Sequence, residues 1–260
     1  MSQYDDLKNY GSAPLAQDAK MALGIQGIYD IYTPPVAGGT GLLPLGTKVR
    51  LADGRTFVYA KAGASNIAPH KLNQSEAPSA NAQDETLAAN LVVGDKQVSI
   101  TFGGAVTANQ YAGGLLYVND PTAGPGVYTI KSHPAGTTAV IVQIYEKIRK
   151  AATAGAGLVS CIKHPLSSLI VAPTTLTSAI QGVALVQIDA NSYGWIQTMG
   201  TCPVLTNGTL VYTAPVEPSA TTAGAVDVST ASTLNANVGV VAQVAASGDY
   251  SLIQLDIPGY

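Results

Sequence analysis

The chain has 260 residues, of which 47% are hydrophobic, 6% aromatic and only 11% charged, with a formal net charge of −3. Every Lys and Arg precedes residue 164; beyond Lys163 the only charges are Asp189, Glu217, Asp227, Asp249 and Asp256. An ordinary domain surface carries about a quarter charged residues, so this one must be Thr, Ser, Asn and Gln or be covered by another molecule. The densest basic run, Glu146-Lys147-Ile148-Arg149-Lys150, reads as a solvated face or connector, so nucleic acid is not an expected partner.

Residues 1–40 read as an extended N-terminal arm. Asp18 to Ile31 is expected to form a short helix on Met21, Leu23, Ile25 and Ile28, with Gly24 and Gly27 weakening it. Pro34-Pro35 ends it and VAGGTG follows as a joint. A hairpin is expected at Lys48–Leu51 and Arg55–Ala60 around Asp53-Gly54. Ala68 to Asn90 reads as a long polar excursion, helical around Gln83–Asn90 or a loop that grips a neighbour.

Strands are then expected at Gln97–Phe102, Leu115–Asn119, Val127–Ser132 and Thr138–Tyr145, with a small-residue linker at Lys150–Gly157. Further strands follow at Leu169–Ala172, Gly182–Ile188, Trp195–Thr198, Thr209–Tyr212, Ala225–Ser229, Val238–Val244 and Tyr250–Ile257, with turns at Asn191-Ser192 and Asn207-Gly208. The expected class is mainly β: an arm over 1–40, a central β-rich domain over 41–150 and a C-terminal small β-barrel or sandwich over 151–260.

Motifs that would carry chemistry are missing. His70, His133 and His164 share no helical ligand spacing, so no metal is expected. Cys161 and Cys202 read as buried free thiols, with a pairing between them as the other reading. There is no nucleophile elbow. The Gly-rich runs Gly38-Gly39-Thr40-Gly41 and Gly155-Ala156-Gly157 lack a phosphate loop's Lys-Ser/Thr and read as joints. Asp84-Glu85 is an adjacent acid pair in a polar stretch. No cofactor, small-molecule substrate or enzymatic activity is expected.

No apolar run approaches the roughly 18 residues of a membrane helix. The start MSQYDDLKNYG lacks the order of a secretion signal, so synthesis in the cytoplasm and no membrane partner are expected.

The run Ala112-Gly113-Gly114-Leu115-Leu116-Tyr117-Val118-Asn119-Asp120, followed by Gly124-Pro125-Gly126 and Val127-Tyr128-Thr129-Ile130-Lys131-Ser132-His133-Pro134-Ala135, resembles a segment of tailed-bacteriophage head structural proteins. Tyr193-Gly194-Trp195-Ile196-Gln197-Thr198-Met199-Gly200 and the β run after it resemble the same family. The resemblance spans roughly residues 45 to 257 and leaves residues 1–35 unmatched. It implies a capsid decoration, or cement, protein on the virion surface, commonly a homotrimer, with the major capsid protein as partner and no catalytic residues.

Alternatives are a major capsid or tail subunit, for which no long spine helix is visible, and a glycan-binding or glycan-degrading tail protein, for which one Trp is thin support. Candidate interface residues are Tyr4, Leu7, Tyr10, Ile28, Tyr29 and Tyr32 in the arm, with Tyr193 and Trp195 beyond it. Trp195 also reads as a core plug. If the resemblance holds, the basic residues before 164 should lie nearer the capsid, and the acidic remainder should supply the trimer core or the outward face.

Overall fold

The structure, a computed structural model, describes residue 31 and residues 43–120, 126–229 and 237–257. The expected arm helix therefore lies outside the described residues, except for Ile31, which is buried in a hydrophobic core. The described residues are mainly β, as expected. In chain order the strands are β1 (Lys48–Arg50), β2 (Thr56–Lys61), β3 (Leu72–Ser75), β4 (Glu85–Leu87), β5 (Gln97–Thr101), β6 (Leu115–Val118), β7 (Gly126–Ser132) and β8 (Val140–Ile144). There follow β9 (Gly155–Ile162), β10 (Leu169–Val171), β11 (Ile180–Ala184), β12 (Tyr193–Leu205), β13 (Pro215–Pro218), β14 (Val226–Val228), β15 (Gly239–Gln243) and β16 (Tyr250–Asp256).

The chain divides into two compact units, Ala77–Pro165 and Met1–Glu76 with Leu166–Tyr260. The first is thus an insertion in the second. The boundary expected near residue 150 falls inside the inserted unit, because β9 closes that unit's barrel.

The inserted unit is a closed barrel with strand order β4-β5-β8-β7-β6-β9. Alternation of side chains along each strand builds it. Val98 and Ile100, Leu116 and Val118, Tyr128 and Ile130 point inward. Val140, Val142 and Ile144 from β8 meet them, as do Val159 and Cys161 from β9. Each large aliphatic side chain buried this way contributes roughly 1.5–3 kcal/mol. Just before β6, Gly113-Gly114 has a local reason: Gly113 turns at φ 76°, and a Cβ on Gly114 would collide with the Ile162 carbonyl oxygen of β9.

In the other unit, a sheet runs β10-β3-β11-β12-β16-β15-β13-β14, and the β1–β2 hairpin joins it on β12. The hairpin is the expected one, with Val49 opposite Phe57 and Leu51 N–H donating to Arg55 O at 2.9 Å. The thirteen-residue β12 is the spine. Its first half lies between β2 and β11 and is buried on both faces, with Trp195 in one core and Ile196 in another. Its second half alternates: Cys202 and Val204 are buried while Thr201 is exposed. The sheet then curls back, and β14 meets the end of β12 through a parallel bridge from Thr206 to Val226. The C-terminal strands therefore form part of this curled sheet, and the closed barrel is the inserted unit.

The change of partners along β12 leaves backbone groups to satisfy. Thr198 O accepts from Ile257 N, and Thr206 N donates to Asp249 O. Even-numbered residues thus bond toward β16, and odd-numbered ones face the other side, where pairing with β2 ends at Thr56. There Pro203 brings no N–H to satisfy, and Leu205 N donates to His70 O at 2.8 Å. The Gln197 side chain does the rest, its Nε2 donating to Met199 O and to Thr201 O, each at 3.0 Å. Gln197 is fully buried, and its own Oε1 has no hydrogen-bond partner.

Three further expectations are corrected. Ala68–Asn90 holds β3, one 3-10 turn at Ala80–Ala82 and β4 instead of a helix or a long loop. The polar LNQS strand can be buried because Gln74 pairs with Thr177, donating to its Oγ1 at 2.7 Å and accepting from its N–H at 3.3 Å. The expected linker at Lys150–Gly157 runs into β9, whose small residues sit at the start of a barrel strand. Thr209–Tyr212 is not a strand; Pro215–Pro218 is. In the Asn207-Gly208 turn only Gly208 has positive φ (71°), because Asn207 is held by its side chain to Asp227 at 2.8 Å and Thr221 at 3.0 Å.

Candidate functional site

The six arm residues Tyr4, Leu7, Tyr10, Ile28, Tyr29 and Tyr32 lie outside the described residues. The other two candidates belong to one aromatic cluster. Tyr59 stacks on Tyr193 with centroids 5.8 Å apart and meets Trp195 edge-on at 5.1 Å. Trp195 is 1% exposed and lies within the core, the plug of the two readings. Tyr193 is half-buried and carries the Lys61 ammonium 5.4 Å above its ring. It is the ring of this pair that reaches the surface.

Sequence reasoning missed two surfaces built by strand alternation. The first is the outer face of β12, β16 and β15. Register pairs Thr201 with Gln254, Pro203 with Leu252, and Leu205 with Tyr250; Val240 of β15 lies beside Gln254. Met199, Val240 and Tyr250 are large hydrophobics on this face that remain exposed. Its carboxylates are at the ends: Asp256 opposite Met199, and Asp249 next to Tyr250. A cavity of about 490 Å³ opens at the Met199 end, lined by Arg50, Asp53, Thr201, Asn237, Gln254 and Asp256 among others. There Asp53 is already paired with Arg55 at 2.8 Å.

The second surface is on the barrel's outside. Tyr117 of β6 lies directly opposite Val127 of β7, and Leu115 lies between Thr129 and Ile162. Tyr145 N donates to Thr129 O, which brings its exposed ring to the same band. Val127 is 61% exposed and Tyr145 57%, so the band is open to solvent. Its rim is basic: Lys131 on β7 and Lys147, Arg149 and Lys150 after Tyr145 are all exposed. Glu146 also lies there, and Thr129 holds it through both its N–H and its hydroxyl. Partial burial works to raise the Glu146 carboxyl, but those two bonds and the Arg149 charge outweigh it and keep it below the ordinary range.

The titratable groups are held by structure. His133 is buried, its Nε2 accepting from Tyr111 N at 3.1 Å and its Nδ1 2.9 Å from Pro134 O. Burial lowers His70 and His164; at His70 a bond to the Pro203 carbonyl opposes it. Cys161 and Cys202 are both free and buried, each thiol pushed up to about 12 by desolvation. Glu85 is raised by burial, against a bond from the Gly103 backbone, with Asp84 repulsion adding to the rise. Among the described residues no group of three or more His, Cys, Asp or Glu converges on a metal position, and no helix is long and apolar enough to cross a membrane.

Comparison with protein-family models, with curated proteins and with solved structures gives no match. The chain is defined by its own architecture: two β units, each presenting an outer strand face of large apolar and uncharged side chains.

Proposed function

We propose that this chain is a non-enzymatic structural subunit of a virion: a capsid decoration protein that binds the outer shell surface, bridges neighbouring subunits of the major capsid protein and self-associates as a homotrimer. The observation that carries the structural-subunit part is the outer face of β12, β16 and β15. Thr201, Pro203, Leu205, Leu252 and Gln254 form registered rows, with charge only at the ends. Interface cores are depleted in charge in this way, and contiguous exposed apolar surface marks a binding site more often than a bare exterior. The capsid part rests on the sequence resemblance through Gly113-Gly114-Leu115 and Tyr128 to Ala135. The arm, over 1–40, is the proposed grip on the shell.

The test is quantitative mass spectrometry of purified particles, paired with binding of the full chain and of a 2–35 deletion to undecorated heads. The proposal expects no more copies than the shell subunit, saturable binding by the full chain and weakened binding by the deletion. Undiminished occupancy by the deletion sinks the arm's role. A copy number above the shell subunit favours the shell or tail-subunit reading, and glycan hydrolysis or glycan-array binding the tail-protein reading.

A further inference from the structure

We infer that the two outer faces bind each other between copies of this chain: the basic-rimmed band on the barrel of one copy docks on the acidic-ended β12–β16–β15 face of the next. This deepens the self-association in the proposed function and rests on that reading.

Charge complementarity points to this pairing. Both faces have apolar centres, Leu115, Tyr117 and Val127 on one and Leu205, Val240 and Tyr250 on the other. Their rims are opposite in sign. Lys131 lies on the band and Lys147, Arg149 and Lys150 follow Tyr145, against Glu146, whose carboxylate is engaged by Thr129, and Asp95, whose carbonyl accepts from Ile148 N at 2.8 Å. Asp249 and Asp256 flank the other face, and its strands contain no Lys or Arg, because none follows residue 163. Arg50 lines the cavity at the Met199 end of this face.

A band docking on a second band would oppose four cations with four cations. The acidic-ended face docking on its own copy would oppose carboxylates with carboxylates. Like charges placed opposite one another across an interface disfavour both symmetric pairings, and the mixed pairing removes the repulsion. A contact between unlike patches is heterologous and propagates from copy to copy, closing as a ring or continuing as a chain. The charge distribution of the sequence gains a physical use: the basic run around Lys147–Lys150 and the carboxylates of the Lys- and Arg-free C-terminal strands make the two faces complementary.

The experiment is a charge swap read by light scattering and mass photometry at low salt. One full-length variant carries Lys131→Glu, Lys147→Glu and Lys150→Glu; the other carries Asp249→Lys and Asp256→Lys. All five side chains are exposed, and circular dichroism checks that both variants fold. The wild type is expected to exceed the 26.5 kDa monomer mass, and each variant alone to fall to it. In a mixture each junction between unlike variants is complementary, so masses above the monomer reappear, while an odd-membered ring keeps one mismatched junction. Val127→Arg, in the middle of the band, is expected to give a folded monomer that neither swap rescues.

A mixture that stays monomeric, or single variants that keep the wild-type mass, overturns the pairing while leaving self-association through other surfaces standing. A wild type that is monomeric at every concentration overturns both. Binding to heads is measured separately, so the capsid reading fails or survives on its own result.

Discussion

Gln197→Leu tests how β12 changes partners. The substitution keeps roughly the shape and removes the donor that satisfies Met199 O and Thr201 O. Two partly buried carbonyls left without this donor cost about 1–3 kcal/mol each. Against this, the variant no longer buries the Gln197 Oε1, which has no partner in the native fold, and recovers about 1–3 kcal/mol by the same reasoning. The net expectation is a loss of about 1–3 kcal/mol. Trp195 is the only tryptophan and lies on the same strand, so its fluorescence reports this unit. With a urea m-value of about 2 kcal/mol/M for a unit of this size, the midpoint drops by about 0.5–1.5 M. Gln197→Glu should be worse at neutral pH, since a carboxylate there faces two carbonyl oxygens with no proton to donate, and should improve on acidification. A Gln197→Leu midpoint equal to or above wild type would refute the reasoning, because the two carbonyls would then have another donor.

Three further predictions concern separate parts of the fold. Gly114→Ala forces a Cβ onto the Ile162 carbonyl oxygen and should lower barrel stability by about 2–4 kcal/mol, against about 1–2 kcal/mol for Gly113→Ala, which meets only the left-handed backbone penalty; hydrogen exchange in β6 and β9 reads both, and equal effects would contradict the close approach. With both thiols at about 12, about one in ten thousand is ionised at pH 8, so a disulfide reagent should label neither thiol of the folded protein quickly and both after unfolding; rapid native labelling of either contradicts the burial. His70 is held below its ordinary value, chiefly by burial, so the unfolded chain takes up protons first as pH falls below about 6.5, and stability should decline from pH 7.5 to 5.5. In His70→Gln that decline, followed through Trp195 fluorescence, should flatten; an unchanged slope would assign it to other groups.

The sequence made local pairings legible and left chain-distant ones hidden. The β1–β2 hairpin was readable because Asp53-Gly54 and the flanking alternation are contiguous. The strong barrel strands were readable because Val98 and Ile100 alternate with Ser99 and Thr101, and because Val140–Ile144 is a run rich in β-branched residues. β3 was not, because its LNQS has no apolar alternation, and its burial depends on β10, β11 and the Gln74–Thr177 pair, all about a hundred residues away. β9 hid behind Gly155-Ala156-Gly157, which looks like a linker until its partners β4 and β6 are known. The insertion was not read from the sequence: the loss of Lys and Arg after Lys163 falls beside its end at Pro165, but no such shift in charge marks its start at Ala77. Trp195's core role follows from Tyr59 and Cys202 lying in the same core as Trp195, while the exposed faces emerged only when register placed Tyr117 beside Val127 and Thr201 beside Gln254.

The central claim is that the chain coats a capsid. The most direct measurement adds the purified full-length protein to heads assembled without it and images the particles by electron cryo-microscopy. The account predicts saturable density on the outer shell surface, bridging neighbouring shell subunits, at no more copies than the shell protein. Folded protein that leaves the heads bare at saturating concentration, or density confined to the tail, would contradict it.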